Sequence, residues 1–90
     1  MEIVCKKYYF DEEHTMLHSE IWTKVEGKII TTYRAQGPAK IFYHKNGKVK
    51  TEVWVQDGDV IGEIMNEYSS DGNKVMSIHH DGNKYIRIDY

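Results

Sequence analysis

Residues 37–47 read GPAKIFYHKNG and residues 62–72 read GEIMNEYSSDG. Shifted by 25 positions, they align Gly37 with Gly62, Tyr43 with Tyr68, Asn46 with Asp71 and Gly47 with Gly72. Asn-Gly and Asp-Gly between alternating apolar runs form the strongest short-range hairpin signal, because both residues tolerate positive φ. The same pairing recurs at Asp57-Gly58 and Asp81-Gly82, so Gly47, Gly58, Gly72 and Gly82 are read as structural turn residues.

Between the turns lie segments of strand length. KVKTEVWVQ (48–56) alternates, with Val49, Thr51, Val53 and Val55 on one face. No segment of helical length carries a 3.6-residue period. The expected fold is all-β: a single antiparallel up-and-down meander of about seven or eight strands, curled or paired with a partner.

Register follows from loop length. A three-residue loop, Lys45-Asn46-Gly47, pairs Tyr43 with Val49 and Ile41 with Thr51 and keeps one apolar face. A two-residue turn at Asp57-Gly58 pairs Val55 with Val60 and Thr51 with Ile64. Ser70-Asp71-Gly72 repeats the first solution and pairs Ile64 with Ile78. SEIWTKVEGK (19–28) echoes TEVWVQDGD (51–59), so 8–36 is read as a degenerate first repeat before repeats 37–61 and 62–86, within one domain spanning 1–90.

Gly-x₅-Tyr-x₂-(Asn/Asp)-Gly, followed by an alternating strand and a second Asp-Gly, resembles the variant MORN repeat. The resemblance covers 37–86 well and 8–36 loosely; an Asp11-Glu12-Glu13 stretch stands where the first turn glycine belongs. It implies an open single-layer sheet serving as a scaffold or binding surface without catalysis. Some bacterial members are described as antitoxins, and other MORN proteins have been linked to membrane lipids.

Composition bounds the function. A chain of 90 residues buries only roughly two-thirds of the surface it exposes unfolded, so its core is small. A formal net charge of −2 gives no electrostatic footprint for nucleic acid. Cys5 is alone, which removes an internal disulfide. No run approaches the 18 apolar residues of a membrane span, so a membrane role is not expected and a cytoplasmic protein is.

Chemistry-bearing residues are sparse. His14 and His18 have zinc-binding spacing on a helix, but on a strand their rings stand about 13 Å apart. His79 and His80 point to opposite faces. No catalytic residue, metal ligand set or cofactor is assigned; a small metal-dependent hydrolase using these histidines, or a lipid- or nucleotide-binding sheet, is the alternative reading. Cys5 is expected to be a small hydrophobe on the first strand, although Lys6 and Lys7 beside it favour a lowered thiol pKa. Glu52 is expected to face Lys40 across the strands.

Apolar outliers carry the functional expectation. On this register Phe42, Trp54, Ile61 and Met65 share the otherwise charged face, with Trp54 opposite Ile61, and Trp22 as the counterpart of Trp54. They are read as a protein-partner surface, or a homodimer contact if the sheet face or an edge strand pairs with a second copy; the alternative is a second core, buried where the sheet curls or a terminal segment folds over. The expected function is a non-catalytic β-module that occludes a partner protein, as an antitoxin, immunity protein or phage anti-defence inhibitor does.

Overall fold

The computed structural model describes residues 2–34, 36–54 and 62–90, and contains strands but no helix among them. Eight antiparallel strands form one sheet: β1 (Glu2–Tyr9), β2 (Leu17–Glu26), β3 (Ile29–Thr32), β4 (Lys40–Tyr43), β5 (Val49–Val53), β6 (Gly62–Tyr68), β7 (Lys74–His80) and β8 (Tyr85–Asp89). Seven follow the meander order β1-β2-β4-β5-β6-β7-β8, and β3 pairs with β2 off this path. The sharing arises because β2 is long: Ser19–Ile21 pair with β4, and Thr23–Glu26 pair with β3. Trp22 sits at the changeover, donating its N–H to the Ala39 carbonyl and accepting from Tyr33 N–H.

Three hairpins share one register. Tyr43 pairs with Val49 and Tyr68 with Lys74, as three-residue loops demand. Tyr9 pairs with Leu17 at the same place in the first hairpin. One pair further from each turn the register shifts: Tyr8 meets Ser19, Phe42 meets Thr51, and Glu67 meets Met76. Each return strand therefore carries one extra residue, His18, Lys50 or Val75, as a β-bulge. In the first hairpin β1 is the counterpart of β4 and β6, and most of it lies ahead of residue 8.

The bulges, together with the β5–β6 register, overturn part of the expected pairing. Ile41 faces Glu52 rather than Thr51, and Ile78 faces Met65 rather than Ile64. Thr51 meets Glu67, not Ile64, and Trp54 N–H donates to the Ile64 carbonyl at 2.7 Å, which places Trp54 opposite Ile64 instead of Ile61. Lys40 faces Val53, so the Glu52–Lys40 pair does not form. A one-residue slip exchanges the two faces of a strand. Apolar alternation alone gave no sign of the slip, because both registers match alternating residues. The Val55–Val60 pairing, Gly58 and Ile61 lie outside the described residues.

Turn chemistry is local. Gly47 and Gly72 take φ of +89° and +93°, the left-handed region that only glycine enters without cost. Asp81 accepts from the N–H groups of Asn83 and Lys84 at 2.9 Å each, which depresses its carboxyl pKa, and Gly82 follows at φ +101°.

The result is a plate of 43 × 41 × 16 Å. Its Cα radius of gyration is 14.5 Å, against about 12 Å for a compact chain of this length. Accessible surface is 6307 Å², above the roughly 5,500 Å² usual for a folded chain of this mass. Among the described residues Ala39 and Met76 are the buried hydrophobic ones of the core, and Ser19, Thr51, Asn66 and Ser77 the buried polar ones. The central row of the sheet is small and polar. Apart from Met76, the larger apolar side chains on its two faces are half-covered or exposed.

Candidate binding faces

Directly paired residues of antiparallel strands project to the same face. The pairings therefore sort the side chains into two sets. On the first face stand Ser19 and Ile21, then Phe42 and Lys40, Thr51 and Val53, Glu67 and Met65, and Met76 and Ile78. On the second stand Glu20 and Trp22, Ile41 and Ala39, Glu52 and Trp54, Asn66 and Ile64, and Ser77. Phe42 and Met65 thus share a face, whereas Trp54 and Trp22 lie on the other. The single apolar patch expected from sequence is two separate surfaces.

The first face holds a groove of about 420 Å³ lined by Phe10, His18, Phe42, Val53, Met65 and Glu67, with Lys50 at its margin. The rings lock at its head: His18 packs edge-on against Phe10 at 4.7 Å and against Phe42 at 6.2 Å. Bulging puts His18 and Lys50 on this face beside their sequence neighbours Ser19 and Thr51. Sequence reading took His18 only as a candidate metal ligand and passed over Phe10, because the bulge leaves no trace in the alternation.

The second face carries a ladder. Tyr43 donates to Glu20 Oε1 at 2.5 Å and Tyr68 to Glu52 Oε1 at 2.6 Å. The hydroxyl of Tyr90 lies 3.1 Å from Ser77 Oγ, the next rung. Each tyrosine thus reaches back to the return strand of the preceding hairpin. Burial, then the hydrogen bond and negative charge of the carboxylate, push both Tyr43 and Tyr68 phenols up to about 12. The matching Glu20-Ile21-Trp22 and Glu52-Val53-Trp54 triplets were the available signal for this ladder.

Trp22 is capped: the Arg34 guanidinium lies 4.4 Å over its ring and donates from Nη1 to the Pro38 carbonyl at 3.2 Å. Gly37 makes room for it, since a Cβ there would come within 3.2 Å of the guanidinium carbon. Neither the Trp22 nor the Trp54 indole N–H, both buried, meets a hydrogen-bond partner among the described residues. Cys5 pairs with Trp22 across the strands. Burial and the Glu20 carboxylate push its thiol up and outweigh Lys7 and Arg34, so the lysines do not activate it.

The histidines disperse. His14 lies in the loop rather than on a strand, at φ 59°, stacked on Tyr9 at 4.4 Å. His79 contacts Ser77 Oγ at 3.1 Å, and His80 packs on Tyr85 at 4.6 Å. Among the described residues no group of three or more His, Cys, Asp and Glu stands close enough to share an ion. No helix among them is long and apolar enough to cross a membrane.

Comparison with protein-family models, curated proteins and solved structures found no match to this chain.

Proposed function

We propose that this protein is a non-catalytic binding plate of the MORN-repeat kind, which inhibits a partner protein by covering part of its surface. Antitoxin, immunity and anti-defence inhibitors work in this way. The observation that carries the reading is the thinness of the sheet. Stable domains bury apolar surface between two packed layers, and here the plate is 16 Å thick with Phe42, Met65, Trp22 and Trp54 half-covered. A partner supplies the second layer. The groove headed by Phe10, His18 and Phe42 is the docking site, because it joins an aromatic anchor to flanking charges of both signs, Lys50 and Glu67.

Affinity capture from the source cells tests this, with Phe42→Ala and Trp54→Ala proteins as paired baits. A partner held by the parent and by Trp54→Ala, but lost from a Phe42→Ala protein that melts normally, supports the groove. Trp54→Ala costing about 3–5 kcal/mol marks that tryptophan as structural rather than exposed. Retention by every bait, or by none, defeats the reading.

A further inference from the structure

The last strand offers an unpaired edge. All five residues of β8 are exposed, and among the described residues no strand pairs along its outer side. Backbone groups alternate sides along a strand. Tyr90 N–H donates to Val75 O at 3.1 Å and Lys84 O accepts from Asp81 N–H, so the even-numbered residues bond inward to β7. The N–H and C=O groups of Arg87 and Asp89 therefore face outward.

We propose that β8 is a homodimerisation edge, on which a second copy of this chain docks antiparallel about a twofold axis at Ile88. Direction comes first. The meander path has seven strands, and with an odd number of alternating strands β1 and β8 run the same way. With corresponding faces of the two sheets on the same side, joining β8 of one copy to β1 of the next would require parallel pairing, whereas β8 on β8 is antiparallel. The twofold contact closes and stops at two copies.

Register comes from the side chains. Centring the pair on Ile88 sets Arg87 opposite Asp89 of the second copy, twice, as the outward-bonded pairs. Ile88 then meets its twin and Ile86 meets Tyr90, on the opposite face. A centre one residue earlier would set Arg87 against Arg87, and like charges directly opposite destabilise. Within one chain Arg87 Nε already donates to Asp89 Oδ1 at 3.1 Å, with both side chains about two-thirds exposed at 67% and 66%. Docking converts this pair into a ring of four alternating charges. The exposed edge, which would otherwise invite indiscriminate strand addition, is closed by it. This inference does not depend on the inhibitor reading.

Analytical ultracentrifugation on Arg87→Asp and Asp89→Arg decides the matter. The parent dimerises with concentration. Each variant alone sets like charges across the axis and associates at least about tenfold more weakly. Mixed in equal amounts they restore complementarity across the interface, though neither regains its intrachain pair, and dimer returns. Hydrogen exchange needs no variant: the amides of Arg87 and Asp89 slow as parent concentration rises, while those of Ile86 and Ile88 are slow throughout. A parent that stays monomeric up to about 1 mM, a dimer unaffected by either variant, or a mixture of folded variants that does not associate would overturn the proposal.

Discussion

The β4–β5 and β6–β7 hairpins turn through Lys45-Asn46-Gly47 and Ser70-Asp71-Gly72, while the β1–β2 hairpin turns through the longer Phe10–Met16 loop with no glycine. All three nevertheless close on the same hydrogen bond at 2.8 Å: His44 N–H to Lys48 O, Ser69 N–H to Asn73 O, and Phe10 N–H to Met16 O. In the first hairpin His14 takes the positive φ, and stacking on Tyr9 holds it there. The Asp11 carboxylate accepts from Met16 N–H at 2.9 Å and from the Thr15 N–H and hydroxyl, whereas in the short loops Asn46 Oδ1 accepts from Lys48 N–H and Ser69 Oγ from Asn73 N–H. Two turn chemistries reach one register. The bulge one pair beyond the turn, and the tyrosine at the strand end, are what the hairpins have in common.

The largest divergence between the hairpins is expected at the glycines. Gly47→Val and Gly72→Val should each cost more than about 1 kcal/mol in urea unfolding, because a β-branched residue is penalised at positive φ. Gly47→Ala should cost less, since a Cβ there meets nothing within 4 Å. Valine variants as stable as the parent would contradict the turns described here.

Next come the rungs. Tyr43→Phe and Tyr68→Phe each remove a hydrogen bond to a carboxylate, an expected loss of about 1 kcal/mol. Tyr90→Phe, which faces the neutral Ser77, should lose less. The phenols also set an alkaline limit. Their pKa of about 12 in the folded state stands above the ordinary value of 10.0, so the fold favours the neutral form. That stability is fully present below pH 10 and drains away as pH rises toward 12. A Tyr43→Phe/Tyr68→Phe protein should show a flatter decline in melting temperature over that window.

The Asp11 loop responds at the other end of the scale. Hydrogen bonds from Thr15 and Met16 hold its carboxyl below the ordinary range, so its contribution is present above that range and lost as pH falls through the lowered value. Asp11→Asn should remove this acid-sensitive part of the melting profile. The smallest change is expected for His14→Gly, within about 0.5 kcal/mol. Relief of the positive φ there offsets the lost stacking on Tyr9.

Much of the fold was legible in the sequence. Asn46-Gly47 and Asp71-Gly72 name both turn and loop length, and the pairs Tyr43–Val49 and Tyr68–Lys74 stem from them. The register shift one residue beyond those pairs was hidden. Inserting Lys50 into β5 leaves Val49, Thr51 and Val53 in unbroken alternation, so the pattern reads equally well in the wrong phase. The candidate site inherits that error. Phe42 and Met65 were placed with Trp54 on one surface, although the bulge at Lys50 parts Phe42 from Trp54, and the β5–β6 register, which sets Met65 opposite Val53, parts Met65 from it. The contact between Phe10 and His18 was hidden for another reason: it forms across a loop longer than those of the other two hairpins.

Small-angle X-ray scattering, extrapolated to low concentration, tests the single-layer plate most directly. The expected result is a flat particle, thin in one dimension, with a radius of gyration near 14.5 Å. An isometric particle near about 12 Å, the size of a compact two-layered globule of this length, would contradict it.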